Sequence, residues 1–154
     1  MITNVSIVSI FCTDLDETRD FYVDVLGFER GEDVSFGDYR WVTVVHPNQP
    51  ELYVHITTPG PPLADDLADA IRRSLAAGMM TGIGVQVDDC TATYEALSAK
   101  GVTFLQEPAD RPYGVEAIMR DNAGNWLVLV EQKDYTPEDF EGFSFDDDGS
   151  AAAG

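Results

Sequence analysis

The chain contains the same order of predicted elements twice, and this repeat limits the folds that it can adopt. Asp14 and Gly27 bracket a first predicted helix, and Asp88 and Gly101 bracket a second with the same number of residues between them. Asp14 in the first helix, and Asp88 or Asp89 in the second, can cap the unpaired N–H groups at the helix start, and a glycine can adopt the left-handed conformation that ends a helix. The equal spacing therefore predicts two modules built on one plan.

Hydrophobic periodicity gives each module the order β-α-β-β-β. The first module, residues 1–58, has its helix at 14–27 and strands at 5–12, 28–30, 40–46 and 52–57. The second module, residues 79–132, has its helix at 88–101 and strands at 83–87, 102–106, 115–120 and 126–131. The linker at 59–78 carries an apolar stripe at helical spacing, which predicts a crossover helix. The predicted fold is a single α+β domain over residues 1–132.

The composition changes after the second module. Residues 133–154 are acidic and end in a run of aspartate, glycine and alanine, which predicts a solvated, partly disordered tail. Thr136 and Pro137 are typical of the start of a short helix. Phe140, Phe143 and Phe145 are expected to dock part of this tail on the body of the protein.

The charge of the chain excludes several classes of partner. A net charge of −19 argues against nucleic acid and against an anionic membrane surface, since both require Lys and Arg. The sequence contains no long apolar run and no leader pattern, so we expect a cytoplasmic protein. Cys12 and Cys90 are the only cysteines, and each lies near a predicted strand–helix junction. We interpret them as free, partly buried thiols.

Four local strings carry a resemblance to a known superfamily: DLDETRDFY at 14–22, LGF at 26–28, VDD at 87–89 and RDNAGN at 120–125. Together with the paired β-α-β-β-β plan, they resemble the vicinal oxygen chelate superfamily. This superfamily includes glyoxalase I, the bleomycin-resistance proteins, the fosfomycin-resistance enzymes and the extradiol dioxygenases. The resemblance implies that each module curls into a cupped mixed sheet, that the two cups enclose one cleft, and that the protein is a homodimer.

The resemblance also implies four positions for metal ligands, on the first and fourth strands of each module. These positions hold Ile7, Gly82 and Val128, and on the fourth strand of the first module either Val54 or His55, because the alignment is ambiguous by one residue. A divalent ion requires N or O ligands, and its charge would stay uncompensated against aliphatic side chains. The chain therefore resembles the metal-free branch of the superfamily, with no metal and no other cofactor.

Further candidate residues lie on or beside the predicted strands. Trp41, Tyr113 and Trp126 are aromatic side chains that either pack in the core or form a stacking wall for a flat or cationic ligand. Glu116 is an acid on an otherwise apolar strand and has to face water, a partner or the pocket. Ser9 offers a hydrogen bond on the inner face of the first strand.

Three hypotheses for function follow. The first is a metal-independent protein that binds a small, aromatic or cationic molecule, similar to the bleomycin-resistance proteins. The second is a lyase, isomerase or oxygenase that uses a divalent metal at a rearranged site around His55 and Glu116, or uses Glu116 as a general base without a metal. The third is an interaction module that binds no small molecule. The sequence does not decide whether the protein is an enzyme.

Overall fold

The structure is a computed structural model that describes residues 1–145, so the predicted solvated stretch at 146–154 lies outside the described residues. It is an α+β fold with two four-stranded mixed sheets, as the repeat predicts. The elements of the first module are β1 (Ile7–Phe11), α1 (Leu15–Asp20), β2 (Glu29–Phe36), β3 (Tyr39–His46) and β4 (Gln49–Thr57). The connecting helix is α2 (Asp65–Ala76). The second module contains β5 (Met80–Gln86), α3 (Cys90–Ala99), β6 (Phe104–Arg111), β7 (Gly114–Arg120) and β8 (Asn125–Gln132).

The chain divides into two compact units. The first unit contains residues 1–82 together with 121–126, and the second contains residues 83–120 together with those from 127 onward. The turn that precedes β8 is thus part of the first unit, although it belongs to the second module in sequence. No helix among residues 1–145 combines the length and apolar character needed to cross a membrane.

The helices of the two modules begin alike but differ by one residue. Asp14 accepts a hydrogen bond from the N–H of Glu17, and Asp89, rather than Asp88, accepts one from the N–H of Ala92. Both helices end before a left-handed glycine, Gly27 or Gly101. The extra residue in the first module is accommodated by a π-helical turn (Phe21–Val25) that continues α1.

The first sheet has the strand order β1-β4-β3-β2, with β1 parallel to β4 and the other pairs antiparallel. One face is a dense apolar layer of Ile10, Val42, Val44, Val54 and Ile56. Arg40 lies two residues before Val42 on β3 and therefore points to this face. Its bonds to Asp16 show that helix α1 lies on the same face. The opposite face carries Ser9, Trp41 and His55.

The second sheet has the strand order β5-β8-β7-β6 and a similar alternation. Ala117 and Met119 of β7 and Leu127 and Leu129 of β8 are buried. Glu116, next to Ala117, and Val128, between the two leucines, point to the other side of their strands. The buried layer of each unit therefore lies on one face of its sheet, and the other face carries the candidate site residues.

The edge strands are longer than predicted. β2 continues through the Gly31–Asp33 stretch, where the sequence predicts that the strand ends, because a register shift between Arg30 and Asp33 accommodates it. A Cβ at Gly31 would collide with Thr43 Oγ1, and Thr43 instead accepts the N–H of Glu32. β6 similarly extends through Pro108, which an edge strand tolerates because its outer N–H groups need no partner.

Candidate functional site

His55 lies at the centre of a hydrogen-bonded cluster on the face of the first sheet opposite its buried apolar layer. Ser9 Oγ is 3.1 Å from His55 Nδ1, and Tyr39 Oη is 3.0 Å from His55 Nε2. The register of β1 with β4 pairs Ser9 directly with His55, so both side chains point to the same face. A neutral imidazole donates from one nitrogen and accepts at the other, and hydroxyl groups can take either role. Both ring nitrogens therefore have partners.

The indole of Trp41 stacks on the imidazole of His55. Their ring centroids are 4.1 Å apart and the planes differ by 16°. Trp41 is half-buried, and its Nε1–H donates to Glu32 Oε2 at 2.9 Å. With both its ring face and its N–H engaged, the indole is held in one orientation while part of it remains accessible to solvent.

Burial determines the charge of the cluster. His55 is 8% exposed, and burial lowers the pKa of its imidazole below the ordinary value. Desolvation disfavours the charged imidazolium, and the two bonds that the described residues make to the ring come from hydroxyl groups. Burial therefore favours the neutral form of the imidazole.

Large apolar side chains surround this cluster and remain exposed. Val34 pairs with Trp41 and Phe36 pairs with Tyr39 across β2 and β3, which places all four on the His55 face. Ile7 shares this face because it lies two residues before Ser9 on β1. The exposed fractions are 45% for Ile7, 43% for Val34, 65% for Phe36 and 46% for Tyr39. We call this surface, together with Ser9, Trp41 and His55, the open face of the first sheet.

Glu116 is part of a separate cluster in the second unit. Its Oε2 accepts the hydroxyl of Tyr113 at 2.6 Å, and its Oε1 lies 3.4 Å from Arg111 Nε and 3.3 Å from Gln106 Nε2. Burial, together with the bond to this carboxylate, raises the pKa of Tyr113 to about 12. Three donors therefore engage the carboxylate of Glu116, the residue considered from the sequence as a general base.

The described part of the C-terminal segment contacts the same cluster. The ring of Phe140 stacks near Tyr113, and the rings of Phe143 and Phe145 lie over the guanidinium of Arg111. The short helix predicted after Thr136 is present as a 3₁₀ turn (Pro137–Phe140), capped by reciprocal bonds between Thr136 and Asp139. Within residues 133–145, the three phenylalanine side chains thus dock on Tyr113 and Arg111, as expected from the sequence.

The remaining predicted site residues occupy other positions on the strands. Val54 is on the buried face of β4, opposite to His55, where it pairs with Val44 in the apolar layer. Gly82 lies in β5 within the first unit, and Trp126, in β8, is also assigned to the first unit. Val128 is half-buried on β8 in the second unit. Of the ten predicted residues, Ser9, Trp41 and His55 form one cluster with Ile7 beside them, and Tyr113 and Glu116 form the other.

Three residues of the clusters were not singled out as site residues from the sequence. Tyr39 stands 74 residues before Tyr113, the offset that also separates Asp14 from Asp88, and each tyrosine hydroxyl bonds a titratable side chain. Gln106 and Arg111 lie at and beyond the end of the predicted strand 102–106. The sequence shows Arg111 only as one of few cations in an acidic chain. Its burial is seen in the structure.

These donor sets do not fit a divalent metal ion. Ile7, next to Ser9 and His55, has no donor atom, and neither has Val128. The two nitrogens of His55 are already occupied by Ser9 and Tyr39. Within residues 1–145, no three side chains of His, Cys, Asp or Glu come together in a group able to hold a metal.

The two β-α-β-β-β modules with four-stranded mixed sheets define the class of fold found in the vicinal oxygen chelate superfamily. The chain belongs to the Glyoxalase/Bleomycin resistance protein/Dioxygenase superfamily, whose sequence model matches residues 4–129. The uncharacterized protein YurT of Bacillus subtilis is 32% identical over 127 residues, which are 82% of this chain and 97% of YurT.

Solved structures agree with this assignment. The crystal structure of UcmS2 superposes with a TM-score of 0.79 at 38% identity, covering 86% of this chain and all of that one. TnmS3 from Streptomyces sp. CB03234, described as an antibiotic binding protein, has the same fold, with a TM-score of 0.69 at 23% identity over 86% of this chain and 98% of that one. Members of the superfamily with similar structures thus include antibiotic-binding proteins.

Proposed function

We propose that this protein binds a planar aromatic small molecule on the open face of its first sheet, without a metal ion. The observation that carries this proposal is the Trp41 indole, fixed by its stack on buried His55 and by its bond to Glu32. A ring held rigid before a ligand arrives loses little entropy when a second ring stacks on it. Stacked aromatic pairs contribute about 0.5–1.5 kcal/mol beyond the area that they bury.

The exposed side chains around Trp41 support a binding surface rather than a bare sheet. Ile7, Val34, Phe36 and Tyr39 are all more than two-fifths exposed on one face. Contiguous apolar surface of this kind marks a site of interaction. Ser9, Tyr39 and His55 supply the few polar groups that orient a ligand in a mainly apolar site. The antibiotic-binding role given for TnmS3 makes an organic small molecule a reasonable ligand class.

The charge of the chain favours a cationic ligand over an anionic one. The net charge of −19 produces a negative potential that attracts cations and repels anions. Metal independence is proposed because Ile7 has no atom that could bind a metal ion and both ring nitrogens of His55 already have hydrogen-bond partners. The site then works by shape, stacking and charge.

The test uses 9-aminoacridine, a planar cation, as the probe. The Trp126→Phe variant leaves Trp41 as the sole tryptophan, so quenching of its fluorescence reports contact with the probe directly. We expect saturable quenching in this variant, and about a tenfold or greater rise in Kd when Trp41→Ala is made in the wild type, measured by probe fluorescence. EDTA should leave the Kd unchanged. Circular dichroism checks that each variant is folded.

Equal probe affinity in wild type and Trp41→Ala would remove the basis of the proposal. A loss of affinity in Trp126→Ala but not in Trp41→Ala would move the site away from the first sheet. If Trp41→Ala changes the sedimentation coefficient and leaves probe binding unaltered, the open face is a contact between two copies. Stoichiometric metal in the purified protein, with binding lost in EDTA, would contradict metal independence.

A further inference from the structure

The C-terminal segment 133–145 lies beyond the part of the chain that the superfamily accounts for. The family match ends at residue 129. The alignments with YurT and UcmS2 cover 97% and 100% of those chains but only 82% and 86% of this one. The segment is therefore an addition to the common fold, and its contacts require their own explanation.

Arg111 presents a guanidinium plane that the second sheet itself holds in place. Its Nη2 donates to Gln106 Oε1 at 3.0 Å, and its Nε lies 3.4 Å from Glu116 Oε1. Glu116 is in turn bonded by Tyr113. A planar guanidinium fixed by partners along its edge offers its face for stacking on an aromatic ring. These partners lie on β6, on β7 and in the turn between them.

Two phenylalanine rings of the segment occupy that face. The Arg111 Cζ atom is 5.9 Å from the ring centroid of Phe143 and 5.3 Å from that of Phe145, within the range of a cation–π contact. The two rings touch each other edge to face at 4.9 Å. Arg111 is only 3% exposed, and these two rings are among the groups that cover its guanidinium.

The segment is poorly buried for one so rich in aromatic residues. Phe145 is 54% exposed, Phe140 is 38% exposed and Tyr135 is 51% exposed. Several of its ring contacts are internal, joining Phe140 to Tyr135 and to Phe143. Its rings meet the sheet at Tyr113 and Arg111. Half-exposed rings gain less free energy from burial than fully buried ones, which favours a segment that a ligand can displace.

We propose that Phe143 and Phe145 are displaceable occupants of a binding site for a planar aromatic ring on the Arg111 guanidinium. The site is distinct from the open face of the first sheet. The segment competes with the ligand within the same chain. The apparent association constant is therefore the intrinsic constant multiplied by the fraction of molecules in which the site is uncovered. An aromatic ligand that enters would release the segment.

The test uses the full-length chain and 2-naphthol, a neutral bicyclic aromatic alcohol, as the probe. Phe143→Ala/Phe145→Ala uncovers Arg111, and we expect it to bind 2-naphthol about tenfold more tightly than the wild type, measured by NMR titration. Adding Arg111→Lys keeps the charge but removes the stacking plane, and should abolish the gain. Phe104→Ala, at a half-buried phenylalanine at the start of β6, is the matched control and should not increase affinity. Decahydro-2-naphthol tests for simple apolar partition, and we expect no comparable gain with it.

A second measurement works on the wild type alone. Saturation with 2-naphthol should shift the backbone amide signals of residues 138–145 toward random-coil positions. The proposal is wrong if the double variant, shown by circular dichroism to be folded, binds the probe no more tightly than the wild type. It is equally wrong if the gain survives Arg111→Lys, or if the segment's signals stay fixed while the probe saturates.

Discussion

Tyr22 donates its hydroxyl to Oδ2 of Asp121 at 3.1 Å, although the two residues are 99 positions apart in the chain. Tyr22 lies on the π-turn that continues α1 and is completely buried, which raises the pKa of its phenol well above the ordinary value. Oδ1 of Asp121 accepts the N–H groups of Ala123, Gly124 and Asn125. The carboxylate therefore organises the RDNAGN turn and ties that turn to the first helix.

Tyr22→Phe should destabilise the protein by about 1–2 kcal/mol, because it removes one donor from a buried carboxylate while leaving the ring packed. The free energy of unfolding in urea measures this change. Tyr94→Phe is the matched control, since the hydroxyl of Tyr94 also donates to a carboxylate, Glu107, but at the surface. We expect that control to unfold at the wild-type urea concentration. Equal effects of the two substitutions would show that burial of the Tyr22–Asp121 bond adds nothing.

Gly124→Ala should cost more stability than a left-handed backbone alone explains. Gly124 has φ of +101°, and a Cβ built there collides with the carbonyl oxygen of Leu75 at the end of α2. Gly27 has φ of +81° with no atom within 4 Å of the added Cβ, so Gly27→Ala isolates the backbone term. We expect about 1 kcal/mol for Gly27→Ala and more than about 2 kcal/mol for Gly124→Ala in urea unfolding. Similar values would show that α2 moves aside without cost.

The regular elements of this fold were predictable because local signals mark their ends. Asp14, Gly27 and Gly101 act as the sequence indicates, as a cap and as two left-handed stops. What the sequence did not show is that the second cap is Asp89, which places the two modules one residue out of step. A π-turn leaves no periodic trace over five residues, so the insertion was visible only in three dimensions.

Site residues could be predicted from the sequence where their own strand marks them, and not where distant residues bury them. His55 and Glu116 stood out as polar residues on apolar strands, and both proved buried. The alignment alone could not choose between Val54 and His55, because neighbouring residues on a strand face opposite sides, whereas the pairing of Ser9 with His55 determines the face. Arg111 was invisible as a site residue because Phe143 and Phe145 bury it from outside the repeat.

The stability of the protein should fall below pH 6.5 because of His55. Burial lowers the pKa of this imidazole in the folded state, whereas in the unfolded chain it returns to about 6.5. As the pH falls through 6.5, the unfolded state takes up a proton first, so unfolding becomes more favourable until the folded pKa is reached. The slope contributed by one such group is at most about 1.4 kcal/mol per pH unit.

The comparison of wild type with His55→Gln in urea unfolding from pH 8 to pH 4.5 isolates this contribution. The difference between the two proteins should be constant above pH 7 and shift in favour of the variant as the pH falls below 6.5. His46→Gln, at the chain's other histidine, should retain the part of the pH dependence that His55 causes. A difference that stays constant over the whole range would mean that His55 takes up its proton equally well in the folded protein.

Cys12 and Cys90 should be free but unreactive thiols in the native protein. Both are completely buried, and burial raises the pKa of Cys12 to about 11 and that of Cys90 above its ordinary value. Because the thiolate is the reactive form, Ellman's reagent at pH 8 should titrate two thiols in denaturant and well under one in the folded chain within minutes. Ser98→Cys, at an exposed position of α3, is the positive control and should add one fast-reacting thiol. Fast labelling of a native cysteine in the wild type would show that a strand–helix junction opens locally, and fewer than two thiols in denaturant without reductant would indicate a disulfide.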